Sequence, residues 1–155
     1  MKRFALLAII FVACCASLFA QQAKTYTWNN TRFSFQVPVP VQVKEDTETS
    51  YEVDGDGLAV NIQLLEDPDT NIVAIRKTVK DIAGDIGITD ISSPVNLKMK
   101  PGLLGAFIEG ALDDANANMA VILDSKSKTE ICVTIVFDDG MEDVATRILS
   151  SFIKK

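Results

Sequence analysis

The stretch from Leu103 to Phe137 reads LLGAFIEGALDDANANMAVILDSKSKTEICVTIVF, and its pattern decides the fold. It contains three apolar runs of strand length, Leu103 to Leu112, Met119 to Asp124 and Glu130 to Phe137, joined by polar turns. Connections that short join antiparallel neighbours, because a parallel pair needs a crossover of a dozen or more residues. In the last run Ile131, Val133, Ile135 and Phe137 share one face, while Glu130, Cys132, Thr134 and Val136 share the other. One face is fully apolar and the other mixed, as expected of a strand more completely covered on one side.

Working outward toward the C-terminus, Asp138-Asp139-Gly140 precedes a predicted helix from Met141 to Ile153. Its apolar stripe is Met141, Val144, Ala145, Ile148, Leu149 and Phe152. Glu142 and Asp143 suit the positive helix N-terminus, and Lys154 and Lys155 the negative C-terminus. Arg147 is the only basic residue in its middle, so the helix is expected to dock on the sheet rather than lie on a membrane.

Toward the N-terminus, a short strand is expected over Val95 to Met99. Before it lies a helix with Ile72, Ile75, Val79, Ile82 and Ile86 at three- and four-residue spacing, capped by Asp69 or Thr70 and stopped by Gly84 or Gly87. Ser50 to Val53 and Leu58 to Leu65 flank Asp54-Gly55-Asp56-Gly57 as a hairpin. Lys24 to Trp28 and Thr31 to Val37 form another around Asn29-Asn30, ended by Pro38-Val39-Pro40, with a short edge strand from Val41 to Lys44 beyond. The order strands, helix, strands, helix predicts an α+β domain: a mainly antiparallel sheet of about six to eight strands packed by two main helices.

The early strand Phe33-Ser34-Phe35-Gln36-Val37-Pro38, with the edge strand, hairpin, mid-chain helix, three long strands and terminal helix that follow, resembles the PsbP-like and DcrB-like superfamily over nearly all of Tyr26 to Ile153. That resemblance implies an antiparallel sheet between helices and a role in binding or assembly without catalysis. Members often carry an aromatic residue shortly after the proline, where this chain has Val39 and Val41. No cofactor-contacting residue carries over.

The first twenty residues read as a secretory signal of bacterial style. Lys2 and Arg3 form the basic region, Phe4 to Val12 the apolar one, and small residues lead to cleavage between Ala20 and Gln21. Phe4 to Ala20 is 17 residues, short of the ~20 that cross a bilayer, so no transmembrane segment is expected in the mature chain, residues 21–155. An alternative takes Phe11-Val12-Ala13-Cys14 as a lipobox, with Cys14 lipidated. With cleavage after Ala20, Cys132 is the one remaining cysteine and no internal disulfide forms.

Loss of Lys2 and Arg3 leaves 13 basic against 21 acidic residues, a net charge of −8. Nucleic acid and anionic lipid require clustered Lys and Arg, so neither is the expected partner. The chain of 155 residues has no His, which removes histidine acid–base catalysis, Ser-His-Asp and Cys-His pairs and His-ligated zinc.

The remaining candidates have structural readings beside the chemical ones. Glu52, Asp54, Asp56, Gly57 and Gln63 loosely follow calcium-loop spacing, but Gln63 stands where a bidentate Glu belongs and the flanks alternate as strands. Glu109, Asp113 and Asp114 offer paired carboxylates for hydrolysis, set against a solvated tip from Asp113 to Asn118. Cys132 lacks a base and reads as packing. Trp28 and Tyr26 read as core before platform, and Asn29-Asn30-Thr31 matches a glycosylation sequon of little weight in a bacterium. The expectation is a non-enzymatic periplasmic or secreted accessory protein without cofactor or metal, binding another envelope protein or a small ligand. A carboxylate-dependent hydrolase and a lipid-anchored envelope component are the alternatives.

Overall fold

The computed structural model describes residues 22–155; the expected signal segment, Cys14 and the Ala20–Gln21 junction lie outside the described residues. Two antiparallel sheets enclose one aromatic core. The smaller has the order β1 (Lys24–Trp28), β2 (Phe33–Val37), β10 (Ile153–Lys154). The larger runs β3 (Gln42–Asp46), β4 (Ser50–Gly55), β5 (Leu58–Leu65), β9 (Thr129–Phe137), β8 (Ala115–Asp124), β7 (Leu103–Leu112), β6 (Val95–Asn96). Eight of these strands are longer than two residues, and the helices are α1 (Ile72–Asp85) and α2 (Glu142–Ser150). The α+β antiparallel class is as the pattern of runs and turns indicates.

Each face of the large sheet has its own cover. On one side Trp28, Phe33 and Phe35 of the small sheet, with Ala145, Ile148 and Leu149 of α2, pack on Val60, Ile62, Ile131, Val133 and Ile135. Phe152 stacks on Phe35 at 4.9 Å between ring centroids. On the other side Ile75, Val79 and Ala83 of α1 meet Ala106, Ile108, Ala117, Met119, Val121 and Leu123. The first hairpin thus forms a separate small sheet, because Pro38 and Pro40 interrupt the ladder directly after β2.

Several boundaries differ from those read in the sequence. Asn71, not Asp69 or Thr70, caps α1: its Oδ1 accepts the amides of Val73 at 3.0 Å and Ala74 at 3.1 Å. At the other end the Ile88 amide donates to Ala83 and the Gly87 amide to Gly84, with Gly87 at φ 87°, so the chain leaves the helix through Gly87. Ile86 therefore falls past the last turn and is exposed.

Strand β6 keeps only Val95 and Asn96 of the expected Val95 to Met99, because the chain already turns toward Lys100-Pro101-Gly102. The edge strand runs Gln42–Asp46, later than Val41 to Lys44. Strand β8 starts at Ala115, so the tip is Asp113-Asp114 alone, both residues at positive φ in a two-residue turn. The C-terminal helix stops at Ser150: Ser150 and Ser151 hydroxyls donate back to the carbonyls of Thr146 and Ile148, and Ile153-Lys154 pairs with Ser34-Phe33 as β10. Lys154 accordingly sits in a strand, its ammonium 4.5 Å from the Phe33 ring centroid, instead of compensating a helix end.

Candidate functional site

Four segments and one strand meet at one end of the structure. The β1–β2 turn contributes Asn30, Thr31 and Arg32; its shape is set by the Arg32 amide donating to the Trp28 carbonyl at 2.8 Å, with Arg32 at φ 64°. The end of β5 brings Leu64, Leu65 and Glu66, and the β6–β7 turn brings Lys100 to Leu103. The β8–β9 loop is wound on Asp124, whose carboxylate accepts the amides of Lys126 and Ser127, each at 3.2 Å, and the Ser127 hydroxyl. The Ser125 amide donates to the Gly102 carbonyl at 3.0 Å, joining the last two segments. Strand β10 closes the rim.

Together they outline a groove of about 1100 Å³. Its lining holds Arg32, Lys100, Lys126, Lys128, Lys154 and Lys155, six of the 13 basic residues that follow position 20. Only Glu66 and Asp124 oppose them, and Asp124 is committed to its own loop. Burial pushes the Asp124 carboxyl up, but the Ser127 hydroxyl and the two loop amides together hold it below the ordinary value. The Lys154 ammonium is pushed down, chiefly by burial and further by Arg32, against the pull of Asp124. Among the described residues the one ion pair within 4.0 Å is Lys77–Asp81 on α1, so the groove cations are not neutralised by direct partners.

This clustering bears on the charge argument. The net charge of −8 over residues 21–155 is an average, and the requirement for clustered Lys and Arg is met locally by residues that the sequence scatters over more than a hundred positions.

The sequence-selected residues are placed elsewhere. Asp113 and Asp114 form a hairpin tip, and Glu109 lies four residues down β7, opposite Asn118, about 13 Å along the strand. Glu52, paired with Asn61, and Gln63, paired with Ser50, are spread along the β4–β5 ladder. Asp56-Gly57 is its tight turn, both residues at positive φ. No group of three or more Cys, Asp or Glu is placed to hold a metal ion among the described residues.

Trp28 and Tyr26 are core: the indole donates to the Thr47 carbonyl at 2.8 Å and the phenol to the Val41 carbonyl at 3.0 Å. Cys132 is buried and its thiol pushed up to about 12 by that burial, far from a nucleophile. In the sequon Asn29 is exposed while Thr31 is buried.

One group escaped the sequence reading. Glu130 is 0% exposed beneath the β5–α1 connection, and its Oε2 accepts the Asp69 amide at 2.9 Å. Its Oε1 and the Asp69 Oδ2 are both buried without a partner. Burial lifts the Glu130 carboxyl from 4.5 to about 7; the Asp69 amide lowers it and the Asp69 carboxylate raises it again. The Asp69–Glu130 bond ties β9 to the segment entering α1. The signal in the sequence was Glu130 sharing a strand face with Cys132 and Val136; its register with Leu65 and Leu123 on two interior strands appears only in the fold. A smaller cavity of about 290 Å³ lies beside the end of α1, lined by Ala59, Asn61, Ile82, Cys132 and Thr134 among others.

No family model matches the chain, and no curated protein does. Solved structures do. The Ran-binding protein Mog1p of Saccharomyces cerevisiae superposes with a TM-score of 0.56 at 11% identity, covering 86% of this chain and 95% of that one. A Mog1 point mutant gives 0.56 at 11%, covering 85% and 95%. A protein of Bacteroides thetaiotaomicron VPI-5482 gives 0.55 at 11%, covering 86% of this chain and 49% of its own. The chain thus shares the α+β fold of Mog1p.

Proposed function

We propose that this chain is an exported, non-catalytic binding protein of the PsbP-like and DcrB-like kind that holds a partner protein in its cationic groove. The observation that carries the reading is the convergence of six cations, without ion-pair partners, on one groove of an otherwise acidic chain. Such a patch focuses the field outward and favours an anionic partner surface. The fold supports it: Mog1p is a Ran-binding protein, so this architecture serves protein recognition in at least that case. The dispersal of Glu109, Asp113 and Asp114 and the buried, unactivated Cys132 weigh against the hydrolase alternative. Export rests on Lys2, Arg3 and the apolar run to Ala20, and the lipid-anchored variant on Cys14.

The test is photocrosslinking in the host from a probe residue replacing Ser127 in the groove, with one replacing Lys80 on α1 as control. A discrete protein adduct from position 127 and none from position 80 supports the reading. Adducts from neither position, or equally from both, overturn it.

A further inference from the structure

Resting on that reading, we infer that the groove's occupant is an extended, acidic polypeptide segment of the partner, laid along strand β10 and between the two basic loops. The charges are arranged as a distributed set. Lys100 and Lys126 stand exposed on separate loops, Arg32 on a third, Lys154 on the strand and Lys155 directly after it. No buried cation converges on a single point, as capture of one phosphate or carboxylate group would require.

The size agrees. About 1100 Å³ is more than the roughly 300–1,000 Å³ of a typical small-molecule site. Between the cations the mixed lining includes Leu64, Leu103 and Ile153, so a segment alternating carboxylates with aliphatic side chains meets both kinds of surface.

The backbone of β10 supplies the third element. Among the described residues the sheet order ends at β10, which pairs with β2. The Lys155 amide donates toward β2, to the Arg32 carbonyl at 3.0 Å. In an antiparallel ladder the adjacent residue faces the other way, so the N–H and C=O of Lys154 point away from β2, to the side on which a further strand would pair. An added acidic strand would bring its carboxylates beside Lys154 while taking those backbone bonds.

Single-stranded nucleic acid fits less well. Its sequence-tolerant binders offer aromatic faces for base stacking, and the groove lining contains no aromatic residue; Phe33 nearby is buried beneath Lys154.

The experiment measures fluorescence anisotropy of a short fluorescein-labelled Glu-rich peptide punctuated by Leu, with oligo-dT and phosphatidylglycerol vesicles as competing probes. Lys100→Glu/Lys126→Glu is compared with Lys44→Glu/Lys80→Glu, which makes the same charge change outside the groove lining. The expected result is peptide binding weakened at least about tenfold by the groove variant, little by the control, and sharply by raising salt to ~150 mM. Unchanged melting temperatures establish that both variants fold. Absence of peptide binding, equal weakening by both variants, or tighter groove-dependent binding of oligo-dT or vesicles overturns the inference. If the peptide fails while position 127 still gives a discrete protein adduct in cells, the acidic segment is wrong and the binding-protein reading stands. If the peptide binds while those adducts are absent, the reading fails instead.

Discussion

Glu130 is the residue whose environment most departs from its sequence context. Its carboxyl is raised to about 7 by burial, with Asp69 the carboxylate facing it and Cys132 the neighbouring titratable group on its own strand. Between pH ~4.5 and ~7 the folded chain therefore keeps a proton that the unfolded chain releases. Stability from this group is full at the acid end and falls as pH rises through about 7, by on the order of 3 kcal/mol. Glu130→Gln preserves an acceptor for the Asp69 amide and adds a donor for the Asp69 carboxylate. We expect the variant to lose this pH dependence and to be more stable than the parent at pH 8, read from urea midpoints at several pH values. A parallel slope in parent and variant would exclude the buried-proton account. Cys132 gives the complementary case: its thiol, pushed up to about 12, should resist a thiol reagent in the native protein and react on unfolding. That Cys132 is packing was legible from Ile131, Val133 and Ile135 around it. The Asp69 contact was not, because it joins residues 61 positions apart.

At the scale of elements, local pattern carried most of the architecture. Period-two alternation and Gly, Asp or Asn turns placed the β4–β5 and β7–β8 hairpins, since turn chemistry and strand pattern act within a few residues. Termini were less legible because they depend on tertiary partners. Nothing near Phe152 signals a strand after the helix, yet Ile153-Lys154 leaves α2 to pair with β2, and Phe152 inserts against Phe35. Phe152→Ala should cost ~3–5 kcal/mol in chemical denaturation, since its ring is fully buried between α2 and the small sheet. A loss below 1 kcal/mol would mean, roughly, that the C-terminal segment is not docked. For α1, the cap on Asn71 predicts that Asn71→Ala costs ~1 kcal/mol, whereas Thr70→Ala, which removes no bond to a helix amide, costs little.

Across the whole molecule the groove is the feature furthest from the sequence. Arg32, Lys100, Lys126 and Lys154 lie in four separate stretches, each unremarkable alone, and only the sheet order β5-β9-β8-β7 with the small sheet beyond brings their loops to one end. Composition reports their sum with 21 acidic residues, and that sum conceals the local field. Export belongs to the same scale: N-terminal sequencing of the protein from its host should give Gln21 as first residue, while a blocked, lipidated Cys14 would replace cleavage with anchoring. If the molecule binds through its groove, an acidic ligand must perturb the groove residues first. Titrating the ¹⁵N-labelled protein with the Glu-rich peptide and following amide shifts tests this most directly. Shifts are expected to concentrate at Asn30 to Arg32, Gly102, Lys126 to Thr129 and Lys154; shifts centred instead on α1 or on the β3–β4 edge would contradict binding through the groove.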